Sequence, residues 1–305
     1  MKEVVLISGK GCTGKTSLAA SLICLASRSG KVVIADCDVD AADMHLLLKP
    51  VVHEKREFIS GRLAHVDPKK CISTGEQASC AICMSGCRFG AISHSFTSGC
   101  TVDPLACEGC GVCVRLCTPG AIDFVDRRCG DLFVSDTRFG PMVHAALDPR
   151  AENSGKLVTS VRKEAKKIAA EQNADWLIID GSPGTGCPVI ASVTGADLAL
   201  IVTEPTVSGV HDLERVAGLA RHFSVPFAVC VNKADINETV TGEIKDWCTR
   251  NNIPFAGQLP YNRAITRAQI RKKTIVEYAE SRSQKPTVTT AAISEIWGTV
   301  CQLKA

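Results

Sequence analysis

The 305-residue sequence lacks the features that would place a protein in a membrane or on a nucleic acid. No uninterrupted apolar stretch reaches the roughly 20 residues that a membrane-spanning helix needs. The chain has no long basic run and a formal net charge of only +3, so neither nucleic acid nor an anionic membrane surface is expected as a partner. It begins without a signal-peptide pattern. These absences predict a cytoplasmic protein with no membrane anchor.

Cysteine, by contrast, is unusually frequent, with 17 residues. Without a secretory signal, a disulfide framework is not expected. Most of the cysteines lie between residues 71 and 129. Five of the others lie in apolar surroundings and are expected to be small buried side chains: Cys24, Cys37, Cys230, Cys248 and Cys301. A chain of this length is expected to form one large α/β domain and a smaller unit.

Residues 8–17, SGKGCTGKTS, fit the phosphate-binding pattern G-x-x-x-x-G-K-[ST], between an apolar strand-like run and a helix-like segment. In this pattern backbone N–H groups surround a phosphate at a helix N-terminus, Lys15 adds charge at the β- and γ-phosphates, and Thr16 offers a hydroxyl to Mg²⁺. The alternative is a purely structural strand-turn-helix. The residues expected to bind the nucleotide here are Gly9, Lys10, Gly11, Cys12, Thr13, Gly14, Lys15, Thr16 and Ser17.

Because Lys10 stands inside the loop, SGKGCTGKT resembles the variant P-loop of the MinD, ParA and nitrogenase iron-protein superfamily. The resemblance implies an ATP-dependent homodimer, or a heterodimer with a paralogue, in which each Lys10 reaches the phosphates of the other subunit. The alternative is a surface lysine in a solvated loop. The family usually has a glycine where this chain has Cys12, which is costly if φ is positive there.

The second apolar run, residues 31–35, ends in the carboxylate-rich segment DCDVD. Open α/β sheets bind ligands at the carboxyl ends of their strands. Asp38 matches the superfamily residue that positions or activates the attacking water, so the expected catalytic residues are Lys10, Lys15 and Asp38. Helix capping is the alternative role of Asp38, and Asp36 and Asp43 are expected to support or cap.

Residues 176–180, WLIID, resemble the Walker B strand, and the following GSPGTGCP resembles switch II. Asp180 is therefore expected to join Thr16 and Asp38 as a magnesium residue. Cys187 has the spacing of a cluster-ligating cysteine in the nitrogenase iron protein. The counterpart of that protein's second ligand, around residues 154–155, has no cysteine here. We therefore expect no cluster between subunits, and Cys187 is interpreted as a buried thiol of the switch loop.

The apolar run at residues 227–231 ends in the tetrapeptide NKAD. The resemblance assigns Asn232 to the adenine base, with Lys233 beside it, and leaves the role of Asp235 open. Pro260 follows the last predicted strand and is expected to close the base pocket.

The alternation of strands and helices stops at about residue 57 and resumes after Cys129, which indicates an insertion. Inside it, Cys107-x2-Cys110-x2-Cys113-x3-Cys117 is the bacterial ferredoxin run. A second set upstream repeats the last three members of this run: Cys80, Cys83 and Cys87. The missing first member of that set would be Cys71, followed by an inserted loop at residues 72–79. The insertion is therefore interpreted as an internal duplication.

The resemblance to two-cluster ferredoxins implies that each 4Fe-4S cluster takes its fourth cysteine from the other repeat. One ligand set is then Cys71, Cys80, Cys83 and Cys117. The other is Cys107, Cys110, Cys113 and Cys87. Structural zinc is the alternative, but its usual pairs of CxxC motifs differ from this spacing. Cys100 and Cys129 fall outside the pattern and receive no role.

The predicted fold is a doubly wound, mostly parallel α/β sheet built from residues 1–55 and 129–305, with an α+β ferredoxin-like domain inserted at residues 56–128. The predicted function is ATP hydrolysis coupled to electron transfer through two 4Fe-4S clusters, toward a partner protein or metallocluster maturation. The first alternative is a cluster scaffold or carrier of the Mrp type. A MinD-like positioning ATPase is a weaker alternative, because no terminal basic amphipathic helix is evident.

Overall fold

The computed structural model describes residues 1–73, 80–95, 97–149, 151, 154–282 and 286–303. Most of the inserted loop predicted after Cys71 lies outside these residues. The chain divides into two compact units. The first contains Met1–Arg56, Asp131–Ala146 and the chain from Ser154 onward, and the second contains Glu57–Gly130 and the segment that begins at Leu147. The predicted insertion limits, 56 and 128, lie close to these boundaries, whereas the segment at Leu147 was expected in the larger domain.

The strands and helices follow one another in an order that matches the predicted α/β pattern outside the insertion. In chain order they are β1 (Lys2–Ser8), α1 (Lys15–Ala26), β2 (Val32–Asp36), α2 (Met44–Leu48), β3 (Val51–Val66), α3 (Ile82–Ser85), β4 (Ile92–Ser95), β5 (Gly99–Val102), α4 (Val112–Leu116), β6 (Ile122–Thr137), β7 (Gly140–Leu147), α5 (Ser154–Glu171), β8 (Trp176–Pro183), α6 (Cys187–Val193), β9 (Leu198–Thr203), α7 (Val207–His222), β10 (Phe227–Asn232), α8 (Glu238–Arg250), β11 (Phe255–Leu259), α9 (Arg263–Ile270), α10 (Ile275–Glu280) and α11 (Val288–Gln302).

Nine of the described strands form one sheet in the order β11-β10-β9-β1-β8-β2-β7-β6-β3. All neighbouring pairs from β11 to β7 run parallel. The chain begins near the middle of the sheet and adds strands on both sides, so the predicted doubly wound, mostly parallel α/β sheet is confirmed. The sequence did not predict the length of β3 and β6, which have 16 residues each and contribute to both units.

The core of the first unit is built on strands that are apolar along their whole length. Residues 4–7 of β1 and every residue of β9 are buried, which is the pattern of a parallel strand covered on both faces. Helix α11 adds Ile293, Ile296 and Trp297 to this core, and each such side chain contributes about 1.5–3 kcal/mol when fully buried. The terminal helix is therefore packed against this core.

The second unit contains two backbone turns that repeat each other. The Asp67 N–H donates to the Ala121 carbonyl and the Asp103 N–H to the Ala91 carbonyl, both at 2.8 Å. Each aspartate then closes a turn onto a cysteine four residues later, because its carbonyl accepts from the N–H of Cys71 at 3.1 Å or of Cys107 at 3.0 Å. Cys71 thus occupies in one turn the position that Cys107 occupies in the other.

Candidate functional site

The predicted phosphate loop lies between the end of β1 and the first turn of α1. Gly14, directly before the helix, has φ +85°, and a Cβ there would lie 2.3 Å from the Asn232 side chain. A Cβ on Gly9 would lie 2.4 Å from the Cβ of Asp212. Real Cβ atoms do not approach other atoms so closely. Both positions therefore require glycine, which explains the two glycines of the motif.

Cys12 has φ +63° and is exposed in this loop. A side chain at this position is costly when φ is positive, and that condition is met. A left-handed backbone costs a residue with a Cβ about 1–2 kcal/mol. The Cys12 carbonyl accepts a hydrogen bond from Lys233 Nζ at 3.3 Å.

Lys15 meets the two predicted magnesium carboxylates at the carboxyl edge of the sheet. Its Nζ lies 2.5 Å from Asp180 Oδ1 and 3.7 Å from Asp38 Oδ2, and only 5% of its side chain is exposed. Burial alone would lower the pKa of Lys15, but Asp180, Asp38 and Asp36 outweigh burial and raise it. Lys15 therefore carries a positive charge in the position predicted for phosphate binding.

The carboxylates around Lys15 are crowded and strongly buried. Burial raises the pKa of Asp38 to about 6, against the opposing effect of Lys15. Burial and the neighbouring Asp180 raise the pKa of Asp36 well above its usual range. Asp36 also accepts hydrogen bonds from the N–H groups of Asp38 and Met44, which is the predicted supporting role. A general base works best when its pKa is near the working pH, and Asp38 meets this condition.

The second oxygen of Asp180, Oδ2, is buried and has no hydrogen-bond partner among the described residues. Buried acceptors are almost always satisfied, so an unpaired one indicates a missing water or ion. Magnesium prefers oxygen ligands and keeps several of its waters, which need acceptors. The first turn of α1 supplies Thr16, next to Lys15. The donor set of Thr16, Asp38 and Asp180 therefore fits magnesium.

Glu204 is a residue of this site that the sequence analysis missed. It follows β9, the neighbour of β1 in the sheet, and its carboxylate pairs with two lysines. Lys10 Nζ lies 2.6 Å from Oε1 and Lys233 Nζ lies 3.0 Å from Oε2. Burial would raise the pKa of Glu204, but the two lysines outweigh burial and lower it. The signal was present, because a carboxylate directly follows an apolar strand there.

Lys10 is held within its own chain in this structure. Besides Glu204, its ammonium group contacts the Ser208 hydroxyl at 3.1 Å and the Thr206 hydroxyl at 3.4 Å. The predicted reach of Lys10 into a second subunit therefore requires these contacts to open.

A cavity of about 250 Å³ lies beside the phosphate loop and contains the predicted base-binding residues. Asn232 and Pro260 line it, with the apolar side chains of Leu18 and Ile265. Asn232 Nδ2 donates to the Thr13 carbonyl at 2.7 Å, which fixes the amide against the loop. The cavity combines apolar walls with a few oriented polar groups, as expected for a small-molecule pocket.

Tyr261 lines this pocket and is hydrogen-bonded to Asp235. Asp235 Oδ1 accepts a hydrogen bond from the Tyr261 N–H at 2.6 Å, and this bond ties the NKAD segment to the chain that follows β11. Asp235 thereby has a structural role, which the sequence had left open. Lys233 also lines the cavity, although its ammonium group points to Glu204 and the Cys12 carbonyl.

Two predictions about isolated cysteines were wrong. Cys187 is exposed at the start of α6, and Cys301 is exposed near the end of α11. The glycine-rich switch segment leaves the Cys187 side chain uncovered. Gly155 is a close neighbour, since a Cβ built on it would lie 3.0 Å from the Cys187 Cβ, but glycine has no side chain that could cover the thiol. The remaining predictions of this group were right, because the structure buries Cys24, Cys37, Cys230 and Cys248.

The eight cysteines of the ferredoxin pattern line two separate cavities of the second unit. The first cavity contains Cys71, Cys80, Cys83 and Cys117. The second contains Cys107, Cys110, Cys113 and Cys87. In each cavity the fourth thiol comes from the other repeat, as in the two predicted sets. Cys100, which had no predicted role, also lines the first cavity.

The thiols of the first cavity interact with one another. Burial raises the pKa of Cys83 to about 12, and a hydrogen bond with Cys100 adds to this shift. In the second cavity burial raises the pKa of Cys113.

Within the part of the chain that the structure describes, no group of three or more His, Cys, Asp or Glu side chains could hold a metal ion as placed. No described helix is both long and apolar enough to cross a membrane.

Comparison with known proteins places the first unit in a family. The family described as CobQ/CobB/MinD/ParA nucleotide binding domain matches residues 4–275. An uncharacterized protein of Methanocaldococcus jannaschii is 34% identical over 235 residues, which cover 77% of this chain and 79% of that protein.

Two solved structures of cell-division proteins are similar over nearly the whole chain. MinD in a MinC:MinD complex of Aquifex aeolicus has a TM-score of 0.59 and 19% identity, covering 100% of this chain and 97% of that chain. MinD of Pyrococcus horikoshii, complexed with Mg-ADP, has a TM-score of 0.57 and 15% identity, covering 99% and 96%. At these identities the likeness concerns the fold. Taken with the phosphate loop and the match over residues 4–275, it shows that the chain belongs to the CobQ/CobB/MinD/ParA family of nucleotide-binding P-loop ATPases.

Proposed function

We propose that this ATPase carries two 4Fe-4S clusters in the Glu57–Gly130 unit and couples its nucleotide state to electron transfer through them. The observation that carries the proposal is the convergence of the eight patterned cysteines on two cavities, four to each, with the fourth thiol of each set crossing over. The acceptor is a redox partner protein or a metallocluster under maturation.

The nucleotide half of the proposal assigns a role to each group at the edge of the sheet. The backbone N–H groups of residues 9–17 surround the phosphates, and Lys15 exchanges Asp180 for phosphate oxygens when ATP arrives. Thr16, Asp38 and Asp180 would hold Mg²⁺, which when bound neutralises charge on the β- and γ-phosphates. Asp38 orients the attacking water and accepts its proton. Asn232, with Lys233 and Pro260 beside it, receives the adenine.

Turnover is proposed to require a dimer formed in the presence of ATP. Lys10 then leaves Glu204 and contacts the phosphates bound by a second subunit, a homodimer partner or a paralogue. A lysine at a γ-phosphate stabilises the charge of the transition state, so Lys10 acts in catalysis rather than in nucleotide binding.

The arrangement of the thiols favours a cluster over a single metal ion. Thiolates around one zinc lie within about 4.6 Å of each other, twice the Zn–S distance of 2.3 Å. A four-iron cluster needs one thiolate per iron around a volume instead. Each of the two cavities is lined by four patterned cysteines, the number that such a cluster needs.

Anaerobic reconstitution of the full chain tests the proposal. We expect about eight iron per chain, and about four in each of the variants Cys83→Ser and Cys113→Ser, which remove one ligand from one cavity each. Cys301→Ser, an exposed cysteine outside both sets, is the matched control and should keep all eight. Bound zinc, or a wild-type chain with four iron or none, would refute the two-cluster function.

A second candidate function is a MinD-like positioning ATPase, and the comparisons fit it better than they fit the redox function. The solved relatives are cell-division proteins with this fold, and the similarities give no support for iron-sulfur chemistry. This function needs the ATP-dependent dimer but no iron. Two results together would favour it. The Cys83→Ser, Cys113→Ser double variant, without iron, would still dimerise with ATP as the wild type does, and the wild type would be redox-inert. An Mrp-type carrier, the third possibility, would release its clusters to an apo-protein.

A further inference from the structure

The two cysteine cavities are equivalent in their backbone but not in their chemistry. The repeated turns at Asp67 and Asp103 relate the two halves of the second unit. Three residues before these aspartates stand Ala64 in β3 and Cys100 in β5, so the two are counterparts. Ala64 lines the second cavity and Cys100 the first. One cavity therefore has a fifth thiol where the other has a methyl group.

The extra thiol is buried in the wall of the first cavity. Cys100 is 3% exposed, and its counterpart Ala64 is 6% exposed. Cys100 lines the same cavity as Cys83, one of the four patterned cysteines, and both side chains belong to one buried cluster. The strand pairing of Cys100 with His94 fixes its backbone. The remaining walls match only in part: Ile122 in the first cavity corresponds to Ile92 in the second, whereas Pro119 corresponds to Phe89 and Ile72 to Glu108.

We propose that Cys100 donates a hydrogen bond from its thiol to the Cys83 sulfur and thereby makes the first cluster easier to reduce than the second. This inference rests on the proposed function, because it presupposes both clusters. The first cavity already has its four ligands, and a Cys83 thiolate bound to iron carries no proton, so only Cys100 can donate between these two sulfurs. Hydrogen bonds to the ligand sulfurs are among the factors that set cluster potentials. Since reduction adds negative charge to the cluster, a donor stabilises the reduced form.

The consequence is a direction for electron flow inside the unit. The methyl group of Ala64 offers no donor, so the second cluster has the lower potential. An electron that enters at the second cluster then passes to the first. The unit thereby acts as a directed relay instead of two equivalent stores.

Four reconstituted full-length proteins test the assignment by redox titration followed by electron paramagnetic resonance. They are the wild type, Cys100→Ala, Cys100→Ser and Ala64→Cys. All four should keep about eight iron. Cys100→Ala makes the first cavity like the second. The midpoint potential of the first cluster should therefore fall by up to about 59 mV, which is about a tenfold change in the one-electron reduction equilibrium. Cys100→Ser keeps a donor and should preserve the separation. Ala64→Cys should raise the lower midpoint.

The outcomes separate this inference from the proposed function. A wild type without iron refutes the clusters themselves. About eight iron with midpoints unchanged in both Cys100→Ala and Ala64→Cys overturns the role of Cys100 alone. Loss of about four iron in Cys100→Ala would make Cys100 a ligand, which also overturns its role as a donor. Ala64→Cys keeps the test decisive if Cys100→Ala does not fold.

Discussion

The ion pair between Lys10 and Glu204 leads to a prediction about dimer formation. In the free chain Glu204 holds Lys10 at 2.6 Å, with 31% of the lysine side chain and 15% of the glutamate side chain exposed. If Lys10 must leave this pair to reach a second subunit, the pair opposes association. The substitution Glu204→Gln removes the negative charge, keeps the size of the side chain, and should strengthen the ATP-dependent dimer.

The size of the effect follows from the exposure of the pair. Partly exposed ion pairs are worth about 0.2–1 kcal/mol, and the low exposure of Glu204 places this one near the upper end. Each dimer breaks two such pairs, so the change is up to about 2 kcal/mol. Since 1.4 kcal/mol is a factor of ten, the dimer dissociation constant should fall by up to about 30-fold. Salt should reduce the difference, because exposed charges are screened.

Sedimentation or light scattering over a concentration series, with a slowly hydrolysed ATP analogue, measures this constant. Glu280→Gln is the matched control, because it removes an exposed ion pair with Arg28 at 2.8 Å away from the phosphate loop. The gain should vanish in a Lys10→Ala background, as a double-mutant cycle requires. A dissociation constant that is unchanged in Glu204→Gln, or a gain that persists without Lys10, would refute the reasoning.

Three further predictions concern the phosphate loop and the carboxylates. Lys15→Ala should abolish measurable ATP binding in calorimetry, whereas Lys10→Ala should leave binding within about threefold and lower turnover; equal binding in the two variants would contradict the assigned roles. Cys12→Gly should raise the free energy of unfolding by about 0.5–1 kcal/mol in urea denaturation, because relief of the left-handed backbone exceeds the added chain entropy; a decrease would contradict it. The raised pKa of Asp38 is about 6, so the free energy of unfolding of the nucleotide-free protein should fall as pH rises from about 4 through 6. ATP turnover should rise over the same range up to pH 6 and beyond. Asp38→Asn should reduce the pH dependence of stability and abolish turnover.

Much of the fold followed from local patterns. The apolar runs before the SGKGCTGKTS and WLIID segments predicted buried parallel strands, and β1 and β8 are such strands. The insertion was evident because the strand and helix alternation stops. The length of β3 was not predicted, since most of its residues are exposed and polar and give no apolar signal. Its strand geometry depends on pairing with β6.

The candidate site divides in the same way. The sequence identified Lys15, Asp38 and Asp180 because their spacing from a strand end is local, and the structure brings them together. It missed Glu204, which directly follows an apolar run, and only the neighbouring position of β9 and β1 in the sheet shows that this carboxylate lies at Lys10. It wrongly predicted that Cys187 is buried. Exposure depends on which elements cover a loop, and a local sequence pattern does not show this.

The sequence by itself determined the nucleotide motif, the family and the two sets of four cysteines, because each depends on residue types at fixed spacing along the chain. Only the tertiary structure decided what surrounds these residues. Chain folding brought Glu204 to Lys10 and placed Cys100 beside Cys83. Such contacts join residues far apart in sequence, and their geometry depends on strand order and on packing. The difference between the two cysteine cavities is of this kind, since it appears only when the two repeats are compared in space.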